Sequence, residues 1–308
     1  MPKILYRVKR FREATLQMIR EANRIIEEYI ADGYTLTVRQ LHYQFVSRDL
    51  YANTQKNYDR LGGVISDARL AGLVDWNAIE DRTRAVATRP HWSDPGDIVK
   101  ACASQFAIDK WKRQTHYVEV WVEKEALAGV FERVCRRNDV SWLACRGYIS
   151  QSEMWRAAGR FRDAASKECL ILHFGDHDPS GLDMTRDIRD RLNLFRAGHV
   201  EVRRVALNFD QVQQYNPPPN FAKTTDSRFA NYQQVYGDES WELDALEPKV
   251  LVQLVDDALS AVRDGDTWLE DAEEEQLHRR DLRQVADYWQ EAVDYVEVGL
   301  GNRYDVKD

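Results

Sequence analysis

Across 308 residues there is no apolar run near the roughly 20 residues that a membrane-spanning helix needs. The opening Met1-Pro2-Lys3-Ile4-Leu5-Tyr6-Arg7 also lacks the long apolar core and small-residue cleavage site of a signal peptide. A soluble, cytoplasmic chain is therefore expected, with no membrane partner. Cysteine is scarce: Cys102, Cys135, Cys145 and Cys169 form no CxxC pair and no cluster with zinc-ligand spacing. Free thiols in a reducing compartment follow. No GxxxxGK[ST] segment is present, so the chain carries no phosphate loop of that kind. Excess positive charge is missing too, since the formal net charge is −8. That average hides an asymmetry: residues 1–113 hold 19 basic against 14 acidic side chains, which leaves −13 for the remainder. A basic front half permits contact with phosphates, and the acidic rear suits solvent or a protein partner.

What is present is a change of rhythm along the chain. Residues from about Phe11 to Ala31 have helical apolar spacing and stop at Asp32-Gly33. Thr37 followed by Gln40 forms a capping box, so the next helix begins there; a third runs from Thr54 to about Gly72. Leu73-Val74-Asp75-Trp76 and Ile79-Glu80-Asp81-Arg82 are expected to be two short strands of a hairpin. Three helices and a hairpin is the order of a winged helix, a common DNA-binding module. After Asp94-Pro95-Gly96-Asp97 a helix is expected to about Arg113.

Beyond that point strands alternate with helices. Tyr117–Val122, Ser141–Cys145, the apolar Cys169–Phe174 and Val200–Leu207 read as strands. Helices fill the gaps at about 125–137, 152–165 and 182–196, which implies a parallel sheet with right-handed crossovers. From about Lys249 to Val298 the pattern is helical and acidic. The expected architecture is thus α/β plus α+β. Residues 1–95 form a winged-helix-like domain, 96–115 a connecting helix, 116–240 a parallel-sheet βα domain, and 241–308 an acidic helical extension.

In open parallel sheets functional groups collect beyond the carboxyl ends of strands. Glu123 ends the first predicted strand, and Asp176 and Asp178 follow the third. Three carboxylates converging on one edge repel unless a cation neutralises them, and Mg²⁺, an oxygen-loving ion, suits that arrangement. His177 reads as a turn residue, because imidazole is a poor Mg²⁺ ligand. Gly175 and Gly181 flank the turn and let backbone pass close to a metal or phosphate. Glu242 and Asp244, also spaced i, i+2, read as structural, since no strand order places them at that edge.

Val122-Glu123-Lys124-Glu125-Ala126-Leu127 and Gly175-Asp176-His177-Asp178-Pro179-Ser180-Gly181 resemble the Glu and DxD motifs of the Toprim domain. Cys145-Arg146-Gly147-Tyr148 resembles a strand end of one Toprim branch, the catalytic A subunit of topoisomerase VI and its meiotic double-strand-break relatives. Thr37-Val38-Arg39-Gln40-Leu41-His42-Tyr43 is similar to that branch's nucleophile-bearing helix, and the resemblance covers about residues 35–207. It implies a winged helix before a Toprim domain, Tyr43 as nucleophile, Mg²⁺ held by Glu123, Asp176 and Asp178, and a homodimer in which one subunit's tyrosine meets the other's metal. Arg39, one turn before Tyr43, would steady the phenolate or the scissile phosphate. Lys124, Arg146, Lys223 and Arg228 are further candidates for contact with double-stranded DNA. The chain departs from the branch at Arg146 and at Ile149-Ser150, where a Lys and a Pro-Asp pair are usual. Strand passage would need a separate ATPase subunit. The expected activity is Mg²⁺-dependent DNA cleavage through a tyrosyl phosphodiester, in the nucleoid. The alternatives are a Toprim nuclease using water, for example in an SMC-type plasmid-defence complex, and a non-catalytic DNA-binding adaptor.

Overall fold

The computed structural model describes residues 3–79, 89–222 and 225–304. Its elements in chain order are α1 (Glu13–Ala31), α2 (Val38–Ser47), α3 (Gln55–Leu70), α4 (Pro95–Gln105), β1 (His116–Val122), α5 (Ala128–Arg137) and β2 (Ser141–Ala144). There follow α6 (Gln151–Asp163), β3 (Glu168–Phe174), α7 (Pro179–Leu194), β4 (Glu201–Ala206), α8 (Phe209–Tyr215), β5 (Asn220–Phe221), α9 (Phe229–Tyr236) and β6 (Glu239–Ser240). The chain ends in α10 (Pro248–Ser260), α11 (Gly265–Asp287) and α12 (Trp289–Tyr304). They pack as two compact units, Met1–Arg84 with His116–Ala261, and Ala85–Thr115 with Val262–Asp308. No helix among the described residues is long and apolar enough to cross a membrane.

In the first unit β1 to β4 form a fully parallel sheet in the order β2-β1-β3-β4. Strand alternation sends Trp121, Cys169 and Ile171 to one face, where they pack with Met154 and Phe161 of α6 and Ile188 and Leu192 of α7. On the other face the Phe131 ring of α5 meets Phe174 edge-on at 4.9 Å. The chain leaves β1 for β2 on one side and reaches β3 on the other, so β1 and β3 are neighbours whose following loops diverge. Val122 pairs with Phe174, which sets Glu123 beside Gly175 and Asp176 at the switch point.

The N-terminal helices surround their own core, built on Ile25, Leu41, Phe45, Leu61 and Ile65. The Thr37 hydroxyl accepts from Gln40 N–H at 3.2 Å while the Gln40 side chain accepts from Thr37 N–H at 2.9 Å, the capping box expected from sequence. The expected strand Leu73–Trp76 does not form. Instead Asp75 accepts from Asn77 N–H at 2.8 Å in a local turn, and Val74 joins the helical core. Among the described residues nearby, Leu5 with Ala71 and Leu36 with Ile79 form isolated bridges. Glu80, Asp81 and Arg82 of the expected second strand lie outside the described residues. In the second unit α4 ends at Gln105 rather than near Arg113 and packs along α11.

Candidate active site

At the carboxyl edge of the sheet, Glu123 Oε2 accepts from Asp176 N–H at 2.8 Å. Asp176 in turn accepts from Leu243 N–H at 2.7 Å. Asp178 caps α7, accepting from Gly181 N–H at 2.6 Å and from the Ser180 hydroxyl at 3.0 Å. Gly181 permits this turn because a Cβ there would stand 2.3 Å from the Asp176 carbonyl oxygen. Beneath the turn Arg204 donates to the carbonyls of Gly175, Asp176, Gly181 and Leu207 and lies 3.1 Å from the Thr185 hydroxyl. Its charge faces Glu123, Asp176 and Asp178, and burial brings its pKa down to about 10.

Glu242 and Asp244 lie at this edge, where no strand order had placed them. His177 and Trp241 form an antiparallel bridge, with hydrogen bonds of 2.8 and 3.0 Å, that lays the chain around 239–244 alongside the DxD turn. The Lys124 ammonium then sits among three carboxylates, 2.6 Å from Glu242, 2.6 Å from Asp244 and 3.1 Å from Asp176. Burial works against the Lys124 charge, but Asp244, Asp176 and Glu242 hold it firmly protonated. Asp244 is buried, and its second oxygen has only Arg39 Nε nearby, at 3.3 Å. Lys124, Arg39 and Arg204 are outnumbered by Glu123, Asp176, Asp178, Glu242 and Asp244. Burial, with Glu123 and Asp244 adding to it against Lys124, pushes Asp176 up to about 8. Glu123 is likewise raised by burial.

Helix α2 carries the other half. Tyr43 is buried, and its hydroxyl meets Arg39 Nη2 and Asn220 Nδ2, each at 3.4 Å. Arg39 pairs with Glu242, and Asn220 donates to Glu242 at 3.0 Å. Burial, with Asp244 and Glu242, raises the Tyr43 phenol well above its ordinary value. Burial would also raise Glu242, yet Lys124 and Arg39 bring it down to about 2. A cavity of about 210 Å³ opens beside the hydroxyl, lined by Arg39, His42, Asn53, Thr54, Tyr58 and Glu242 among others. Thr54 caps α3, so the positive end of that helix faces the cavity, as suits a phosphate. His42 is held by Tyr51 at 2.9 Å and Asn53 at 3.1 Å.

The structure therefore gathers Arg39, Tyr43, Glu123, Lys124 and Asp176 in one region, adds Asn220, Glu242, Asp244 and Arg204, and ties Asp178 into a helix cap. His177 is a buried turn residue bonded to Tyr232 at 2.9 Å. Arg146 is exposed on the turn after β2 and pairs with Glu125. Arg228 is bound to Asp183 at 2.6 Å and Asp226 at 2.8 Å. Lys223 lies outside the described residues. The i, i+2 spacing of Glu242 and Asp244 is visible in the sequence, but their place at this edge depends on the His177–Trp241 bridge.

Glu123, Asp176 and Asp178 supply the carboxylate oxygens that a hard divalent cation takes, with Glu123 and Asp176 raised by burial, and Lys124 and Arg204 already face them. Among the described residues no three His, Cys, Asp or Glu side chains are yet grouped as ligands of one ion. Fold and site together define a parallel α/β protein with an ionic centre at the carboxyl edge of its sheet. No family model, curated protein or solved structure matches the chain.

Proposed function

We propose that this chain is a Toprim-like, Mg²⁺-dependent enzyme that cuts DNA with Tyr43 as nucleophile. One observation carries the reading: Tyr43, Arg39 and Glu242 line one cavity, and Glu242 is joined through Lys124 to Asp176 at the strand edge. In the reaction the Tyr43 oxygen bonds to phosphorus and the bond from phosphorus to the adjoining sugar oxygen breaks. The phenolic proton leaves to solvent past Glu242, and the departing oxygen takes a proton from water. Arg39, held charged by Asp244 and Glu242, is placed to steady both the phenolate and the phosphodiester. The α3 N-terminus receives the non-bridging oxygens. Glu123, Asp176 and Asp178 would hold Mg²⁺, which would polarise the phosphodiester and offset the charge of the departing oxygen.

A second reading has its own support. Because burial and two acids keep the Tyr43 phenol protonated, water could act instead, giving a Toprim nuclease. Incubation with supercoiled plasmid and Mg²⁺, resolved with and without protease, separates the two. The first reading expects DNA trapped on protein and released by protease, and loss of cutting in Tyr43→Phe. Cutting that survives Tyr43→Phe without adducts supports the second, and no cutting at all overturns both.

A further inference from the structure

The connection between Tyr43 and the strand-edge acids runs through Glu242. One of its oxygens accepts from Asn220 Nδ2, the amide that also reaches the Tyr43 hydroxyl. The other accepts from Lys124 Nζ at 2.6 Å and pairs with Arg39. The Tyr43 hydroxyl itself shares a hydrogen bond with this carboxylate. Lys124 continues to Asp176, whose amide is bound by Glu123. Two pieces of local pairing put Glu242 there. Antiparallel β5 and β6 set Asn220 opposite Ser240, and the His177–Trp241 bridge fixes the next residue against the DxD turn.

We propose that Glu242 is a positioning residue for Tyr43 and that it completes the reaction centre within a single chain, so that each chain cuts with its own tyrosine and its own acids. This rests on the reading of Tyr43 as nucleophile. It departs from the shared-site homodimer that the resemblance implies. For Tyr43 to serve a second chain, its hydroxyl would have to leave Arg39, Asn220 and Glu242 together, although the side chain is only 3% exposed. Glu242, in turn, is half-buried and would have to release two cations, and separating such pairs is costly. Charge placement favours the closed arrangement, because Glu242 and Asp244 each meet both Arg39 and Lys124, and Glu242 also accepts from Asn220.

The test uses full-length chains. Tyr43→Phe and Asp176→Ala, carrying different tags, are co-expressed so that any multimer is mixed, then given plasmid and Mg²⁺. A centre within one chain predicts no adduct on either chain, at least tenfold below wild type; an adduct on the Asp176→Ala chain overturns the proposal. A chain bearing both substitutions, co-expressed in excess with wild type, should leave cutting per wild-type chain unchanged, and a fall in proportion to the excess overturns it. Absence of adducts from wild type alone would instead sink the tyrosine reading, and this inference with it. For Glu242, Glu242→Gln should slow adduct formation at least tenfold while plasmid affinity stays within twofold. Equal loss of both makes the residue merely structural. Without metal or DNA, the NMR signal of the Tyr43 ring, assigned by its loss in Tyr43→Phe, should move in Glu242→Gln while those of Tyr29 and Tyr6 stay. An unmoved Tyr43 signal overturns the contact.

Discussion

Each of the two units buries a carboxylate at the centre of an ionic cluster, and the two clusters are built to opposite ends. In the second unit Glu275 accepts from Ile108 N–H at 3.0 Å, pairs with Lys110, and has Arg279 at 2.9 Å. Burial there would raise Glu275, but Lys110, the Ile108 amide and Arg279 bring it below the usual carboxylate range. In the first unit Asp176, Glu242 and Asp244 share Lys124, Glu242 and Asp244 also meet Arg39, and Asp176 rises instead. A buried acid with its own donors is a fastening. Buried acids that outnumber their cations retain affinity for further positive charge, which is the physical mark of a site.

The sharpest way to break this contrast is to remove one acid from each cluster. Asp176→Ala should lower plasmid cutting at least about a thousandfold, since groups that act as a unit fail together. Glu275→Gln should leave the cutting rate within twofold at a temperature where both proteins are folded. The reverse swap tests stability. Lys110→Ala leaves buried Glu275 with Arg279 and the Ile108 amide and should cost about 1.5–3 kcal/mol in chemical denaturation. A loss below about 1 kcal/mol would show that the second cluster is no fastening at all.

Proton linkage sharpens the comparison further, because the two acids shift in opposite directions. Asp176 binds its proton more tightly folded than unfolded, so its favourable contribution is full below about pH 4 and fades as pH rises through about 8. Asp176→Asn, which cannot ionise, should therefore come closest to wild type below about pH 4 and gain on it by about 1 kcal/mol per pH unit up to about pH 8. Glu275 is lowered, so its contribution is present above its unfolded value near 4.5 and is lost as pH falls. Glu275→Gln should destabilise at pH 7 and progressively less towards pH 3. Urea melts in EDTA at three pH values check both signs, and parallel curves for the two variants would refute the distinction.

The sheet was readable because its signals are local. Alternation in Tyr117–Val122 and the apolar run Cys169–Phe174 fix β1 and β3, and the places where they stop put Glu123 and Asp176 at strand ends. Pairing of Val122 with Phe174 then follows from parallel neighbours in register. Glu242 and Asp244 were not readable, because what brings them in is a bridge from Trp241 to His177, 64 positions back in the chain. Nothing in the spacing of residues near Trp241 announces a partner so distant. The expected strand at Leu73–Trp76 failed for the opposite reason: its apolar residues fill the core of the N-terminal helices, and Asp75 closes a turn that no strand accommodates. Arg39 and Tyr43 lie between these cases. Helical spacing puts them on one face, whereas their convergence on Glu242 is tertiary.

The smallest expected effects concern the two arginines proposed for DNA, and the logic of matched and unmatched charge applies to them as well. Arg228 is committed to Asp183 and Asp226, whose carboxyl groups it holds below the usual range, with Arg186 the larger influence on Asp183. Arg146 has a single exposed partner, Glu125, on a turn whose backbone already meets the Glu123 strand end through Gly147 N–H. An arginine with one exposed partner exchanges it for phosphate at little cost, while one locked between two acids must first lose both. Arg146→Gln should therefore weaken plasmid binding about threefold at moderate salt and reduce the salt slope by about one counterion. Arg228→Gln should change affinity by less than about twofold, within the range of an exposed pair. Binding isotherms at four salt concentrations measure both, and a larger loss for Arg228→Gln would mean that DNA displaces Asp183 and Asp226, so that pairing in the free chain does not predict which charges the nucleic acid recruits.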